Sequence, residues 1–218
     1  MFSVLFEVHP KSDQWENYLG YAKMLRPELE QIEGFVDNIR YSSLTREGWL
    51  LSLSSWRDEK SLIRWRTQAK HQHVQAQGRS QVFLDYHLRV GQITQDTRPP
   101  ETYTIQEQRL DETEISASTA VVLVNAKRPA SVDKNAQPLE IANYLGLPTI
   151  TPALVNWDVF EAVLTPGDLI IVMSFRDNAA ATTYEALAKL PHDARLRRLR
   201  IIRDYRMLDR RESPQYYP

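Results

Sequence analysis

The chain has 218 residues, 27 basic and 28 acidic side chains for a net charge of -1, and 42% hydrophobic residues, so it is ordinary globular material with room for two domains. Near-neutral charge supplies no field to hold a polyanion, which argues against nucleic acid, and the lack of cysteine removes disulfides, thiolate metal sites and thiol nucleophiles together. The opening MFSVLFEVHPKSD has no basic leader, and no apolar run approaches the ~20 residues of a membrane span, so a cytoplasmic protein with no membrane partner is expected.

Residues 2–9 alternate as a strand, with Phe2, Val4, Phe6 and Val8 on one face and Ser3, Leu5, Glu7 and His9 on the other. After Pro10, Ser12 or Asp13 is positioned to cap a helix whose apolar stripe includes Trp15, Tyr18, Leu25 and Leu29, and Pro27 is expected to kink or divide it. Glu33-Gly34 stops this helix. A second strand over 35–44, a turn at 45–48 and a third strand over 49–56 follow, the third apolar enough to be central and covered on both faces. Asp58 caps one long helix to about Gln77, Gly78 closes it, and 82–93 forms the fourth strand. The order is strand, helix, strand, strand, helix, strand, the ferredoxin-like split βαβ arrangement.

Residues 94–117 are polar and broken by Pro99-Pro100, and read as a linker. A second copy then occupies 118–211, with strands over 120–124, 154–164, 168–175 and 199–208, helices near 139–145 and 178–190, and a tail over 212–218 without a readable motif. The two copies repeat. At an offset of about 119 positions, Gly48 falls on Gly167, Trp56-Arg57-Asp58 on Phe175-Arg176-Asp177, and Asp85-Tyr86 on Asp204-Tyr205, which implies a duplicated domain.

The stretch SLSSWRDEKSLIRWRTQAKHQHVQAQGRSQVFLDYHLRV carries an aromatic-Arg-Asp strand end, Trp65, His71, a Gln/Gly/Arg segment and a closing Asp-Tyr-x-x-Arg-Val strand. With the FEVHP opening, residues 1–93 resemble the antibiotic biosynthesis monooxygenase family of dimeric α+β barrels, whereas the second copy keeps only its Phe-Arg-Asp and Asp-Tyr anchors. The resemblance implies an α+β fold in which two ferredoxin-like antiparallel sheets close one barrel, here within one chain, with a further homodimer compatible. It implies oxygenation of a small aromatic or quinol-type substrate without metal or organic cofactor. Of the Asn, Trp and Tyr that the family's phenol oxidisers space along the second helix, Trp65 is retained, with Ser61 in place of the Asn and His71 in place of the Tyr. For the family's haem-degrading members, Trp65 again fits, but Gln75 stands where the iron-ligating His would be and Glu7 lies near the expected Asn, so haem would need His71 or His73 as ligand.

Trp65 can pack on the sheet with Leu62 and Ala69 or wall a pocket, and the two roles are compatible. His71 and His73 lie about 200° apart on an ideal helix, so only one can face that pocket; a histidine suits proton abstraction because its ordinary pKa is near 6.5. Trp65, His71 and His73 are the catalytic candidates, and Glu7, Ser61, Arg79 and Tyr86 the substrate-contact candidates; no carboxylate accompanies the histidines at metal-ligand spacing. Glu7 is expected to point into the barrel, either as a base with a raised pKa or as an ion-pair partner of Arg79, Arg89 or Arg40. Tyr86 and Tyr205 read mainly as structural repeats, and the arginines of 195–211 as a solvated strand face balanced by nearby aspartates. The alternative to an enzyme is a barrel that binds a small apolar or aromatic molecule without chemistry, or an interaction module.

Overall fold

The computed structural model of the protein describes residues 1–101 and 103–213. Its first half runs β1 (Phe2–Pro10), α1 (Trp15–Glu30), β2 (Phe35–Ser43), β3 (Leu50–Trp56), α2 (Glu59–Thr67), α3 (Ala69–Gln77), a π-turn (Gly78–Val82) and β4 (Phe83–Asp96). The second runs β5 (Ala120–Lys127), α4 (Pro138–Tyr144), β6 (Leu154–Ala162), β7 (Asp168–Phe175), α5 (Asn178–Leu187) and β8 (Arg195–Arg206). The strands close a barrel in the order β1-β3-β2-β6-β7-β5-β8-β4. Closure within one chain leaves neither sheet with an open edge.

Strand alternation decides the layers. Leu5, Leu51, Leu53, Val121, Leu123, Phe160, Ile170 and Leu199 point inward and form one core shared by both halves. Phe2, Val8, Leu50 and Trp56 point outward beneath the first half's helices. β3 pairs with both β1 and β2, the central position its composition predicts.

The duplication is visible in the local geometry. Asp58 and Asp177 cap α2 and α5 identically, each carboxylate accepting a backbone N–H at 2.8 Å from the residue three further on. Gly48 and Gly167 end the equivalent hairpin turns at φ values of 76° and 91°, a region that side chains resist. The two halves meet where equivalent residues pair with each other, Ser42 with Glu161 on one seam and Gln92 with Arg200 on the other.

That second seam corrects the repeat. Phe2 pairs with both Trp56 and Gln92, and Ala120 with both Phe175 and Arg200, so Gln92 corresponds to Arg200 and not to Arg211. Asp85-Tyr86 and Asp204-Tyr205 are therefore not structural equivalents, because the second half has nothing in place of α3 and the π-turn. Other local expectations also change. α1 continues through Pro27, and neither Ser12 nor Asp13 caps it. The helix expected over 58–77 breaks at Gln68 (ψ 127°). Residues 103–119 are tied to the barrel, with the backbone N–H groups of Thr113 and Arg109 donating to the Ile201 carbonyl and the Gln92 side chain.

The arginines of β8 are not a solvated face. Arg195 pairs with Asp96 at 2.6 Å, Arg200 with Glu107 at 2.6 Å and Arg198 with Glu185 at 3.4 Å, while Arg197 is 4% exposed and donates to Asn125 Oδ1 at 2.7 Å. Among the described residues no helix is long and apolar enough to cross a membrane.

Candidate active site

A cavity of about 550 Å³ lies between the outer face of the first half's sheet and its helices, within the size range of small-molecule sites. Val4, Phe6, Leu88 and Val90 form its floor; Tyr18, Ala22 and Leu25 of α1 form one wall, and Trp65, His71 and Val74 the other. Arg26, Glu30, Val36 and Ile39, all exposed, line it where it meets solvent.

The break at Gln68 builds the second wall. In a continuous helix, residues six apart are about 120° apart around the axis and about 9 Å along it, so the Trp65 and His71 rings would not stack. Gln68 leaves the helical conformation, and its side chain accepts from the His71 backbone N–H at 2.7 Å and donates to Glu28 of α1, starting α3 in a new direction. The His71 ring then stacks on Trp65, with centroids 4.2 Å apart and planes at 16°.

His71 Nδ1 lies 2.9 Å from the Trp65 carbonyl. A carbonyl only accepts, so Nδ1 carries the proton and Nε2 presents a lone pair, 3.4 Å from the Gln75 amide. Burial, opposed by the carbonyl bond, takes the His71 pKa down to about 4. The imidazole is thus neutral near pH 7, suited to accepting a hydrogen bond and a weak base towards a phenol whose own pKa is ~10.

Away from the Trp65–His71 stack, the cavity is lined by phenols and cations. Burial pushes the Tyr18, Tyr86 and Tyr205 phenols up, so all three keep their protons and act as donors. Tyr86 and Tyr205 meet edge to face with centroids 6.5 Å apart. Arg40, Arg66, Arg79 and Arg210 also line the cavity. Arg66 bonds the Tyr205 side chain and Arg40 the Tyr18 side chain, while Arg210 donates to Ser213 Oγ at 2.8 Å.

Of the residues singled out from the sequence, Trp65, His71, Arg79 and Tyr86 line this cavity; Glu7, Ser61 and His73 do not. His73 is exposed on the far side of α3. Ser61 is fully buried, its hydroxyl donating to Asp58 at 2.8 Å as part of the helix cap, which helps hold the Asp58 pKa down at about 2 against its partial burial. Glu7 does enter the barrel, but its partners are Arg89 and Arg46, each at 2.5 Å, and not Arg79 or Arg40. Burial alone would raise its pKa; the two guanidiniums outweigh burial and hold the carboxyl below its ordinary value. Arg46 also reaches Asp158 of β6 at 2.7 Å, and Arg89 reaches Ser174 of β7 at 2.8 Å, so this network ties the two halves together inside the barrel.

Sequence reasoning took Arg40 only as a possible partner of Glu7 and Arg210 only as part of a solvated basic run, and it missed Gln68. Nothing in the local sequence ties Arg210 to this cavity, since it comes from the end of the second half. Gln68 has no Gly or Pro beside it, and its stabilising partner, Glu28, is distant in sequence.

The sequence pattern of the family described as antibiotic biosynthesis monooxygenase matches residues 1–77. A Pyricularia oryzae protein named jasmonate monooxygenase ABM is 44% identical over 223 residues, covering 100% of this chain and 99% of the relative. The chain belongs to the antibiotic biosynthesis monooxygenase family. A solved structure of an aldoxime dehydratase in complex with butyraldoxime shares the fold at a TM-score of 0.54 and 10% identity, covering 92% of this chain and 79% of that one. The family's α+β barrel, expected from two ferredoxin-like sheets, is here closed by one chain.

The cavity residues do not fit haem ligation. Gln75 occupies the position where the family resemblance places an iron-ligating His, His73 faces away, and Gln75 lies against the one imidazole nitrogen left open on His71. Among the described residues no three His, Asp or Glu side chains gather as a metal site.

Proposed function

We propose that this family member is a monooxygenase whose substrate, a small and largely apolar molecule, occupies the first-half cavity against the Trp65–His71 wall, and that it works without a metal or organic cofactor. One observation carries the reading: a stacked indole and imidazole face an apolar cavity, with the imidazole held in one tautomer by the Trp65 carbonyl. Trp65 supplies a flat apolar surface, His71 Nε2 accepts a donor group of the substrate in place of its long 3.4 Å contact with the Gln75 amide, and the buried phenols of Tyr86 and Tyr205 donate from the other side. Jasmonate is the first substrate to assay, because the relative matching over the whole length is named for it.

A phenol or quinol is the second reading, favoured by the flat aromatic wall and by the lone pair that His71 offers to a hydroxyl. Phenol plus O2 gives quinone plus water, with the substrate supplying every electron. Hydroxylating an alicyclic acid needs two further electrons, so oxygen uptake is measured with and without NADPH. Under ¹⁸O2 the product is expected to carry one labelled oxygen, and His71→Ala is expected to lose about 10- to 100-fold in kcat/KM, the worth of one hydrogen bond. Oxygen uptake by neither substrate under either condition, with tight ligand binding retained, would instead make this a binding module. Size-exclusion chromatography with light scattering decides whether a homodimer forms beyond the barrel.

A further inference from the structure

We infer that Arg79 and Arg210 form an anion anchor at one end of the cavity, which takes the carboxylate of an otherwise apolar substrate. The inference deepens the proposed function and rests on its assignment of the substrate to this cavity.

Arg79 follows α3 on the π-turn, and Arg210 follows β8, so the anchor joins the two halves of the chain. Both line the cavity, close enough that Arg210, after burial, is the largest influence lowering the Arg79 pKa. Neither pairs with a carboxylate among the described residues. Among the described residues, the two acidic ones lining the cavity are Glu30, which holds Arg26 at 2.7 Å, and Asp37 of β2. The floor repeats the pattern, since the Arg40 Nε–H is buried without a hydrogen-bond partner.

Arg79 is partly buried beside the exposed Arg210, and among the described residues no carboxylate balances either, an unfavourable pairing of like charges. A carboxylate offsets both, and the planar guanidinium of Arg79 can engage it through two N–H donors. The adjoining Tyr86 and Tyr205 rings, whose phenols burial keeps protonated, add neutral donors and no competing charge. Arg79 and His71 are both cavity-lining and eight residues apart, roughly 12 Å along a helix, so the anchor leaves room for an apolar body reaching towards the Trp65–His71 wall.

The test uses binding alone, so it stands even if no oxygenation is found. Neutral N-phenyl-1-naphthylamine is bound to the full chain and displaced by 4-phenylbutyrate or by its methyl ester. The acid is expected to bind about 10- to 100-fold more tightly than the ester. That advantage is expected to fall to about twofold or less in Arg79→Gln and to shrink in Arg210→Gln, with fluorophore affinity unchanged, and to survive in Arg79→Lys. Should Arg79→Gln no longer bind the fluorophore, salt decides in the unaltered protein, because the acid's advantage must weaken steeply towards 1 M, where the screening length is about 3 Å. Equal binding of acid and ester, an advantage that persists in Arg79→Gln, or one indifferent to salt would overturn the anchor.

Discussion

The two halves share a strand plan, a hairpin glycine and a helix cap, yet one encloses a cavity and the other is solid. In the second half, Ile141, Ala142 and Leu145 sit directly on the sheet, and Tyr184, at the position of Trp65, packs on Phe175 with centroids 4.8 Å apart; a single continuous cluster fills the space. In the first half the outer core divides into two clusters, and the cavity touches both. The difference comes from the helices. α1 has 16 residues against 7 in α4, and α3 with its π-turn adds a wall where the second half has only a short loop before β8. A duplicated domain can thus keep its frame while the residues over one sheet decide whether that sheet carries a site.

The largest stability effect should come from what the halves hold in common. Glu7→Gln removes the carboxylate between Arg89 and Arg46 and leaves the buried Arg89 without one, while Arg46 keeps Asp158, so unfolding free energy measured by denaturant titration should fall by about 3–5 kcal/mol. Next comes the contrast itself. Ile141→Ala in the solid half leaves a new void and should cost about 2–5 kcal/mol, whereas Leu25→Ala enlarges an existing cavity and should cost only about 1–2 kcal/mol; equal costs would erase the distinction. Smaller still, Trp65→Phe should change stability by under about 1 kcal/mol, because Trp65 is only half-buried, while weakening ligand binding.

The smallest effect is a pH dependence. The His71 pKa is about 4 in the folded chain and near 6.5 unfolded, so between those values the unfolded chain holds more protons. The His71 contribution should be flat above about pH 6.5 and decline as pH falls towards 4, while the buried Met1 amino group, lowered to about 6, adds a loss between about pH 8 and 6. His71→Gln should flatten part of that decline, with His87, whose pKa burial also lowers, supplying the rest. Below about pH 4.5 a second loss should follow as Glu7 and Asp58, both with depressed folded values, take up protons. Melting temperatures across pH 3–8 for the unaltered and His71→Gln proteins check both limbs.

Much of this plan is legible in the sequence because it is written in local periodicity. The alternation of β1 correctly assigns Phe2 and Val8 to the helices and Leu5 and Glu7 to the barrel, and Asp58 and Asp177 announce their helices. What escapes depends on distant contacts. The Gln68 break needs Glu28, the Glu7–Arg46 pair needs the β2–β3 turn, and Arg210 reaches the cavity only because β8 joins β4. The shared Asp-Tyr dipeptides mislead for the same reason, since strand register is set by pairing and not by sequence offset.

The central claim is that ligands enter the hollow of the first half and nowhere in the second. Ala22 lines that hollow, so Ala22→Trp fills it without disturbing the barrel. Fluorescence titration with N-phenyl-1-naphthylamine should show binding in the unaltered protein and none in the variant, at nearly the same melting temperature. A folded Ala22→Trp protein that binds the fluorophore as tightly as before would contradict the account.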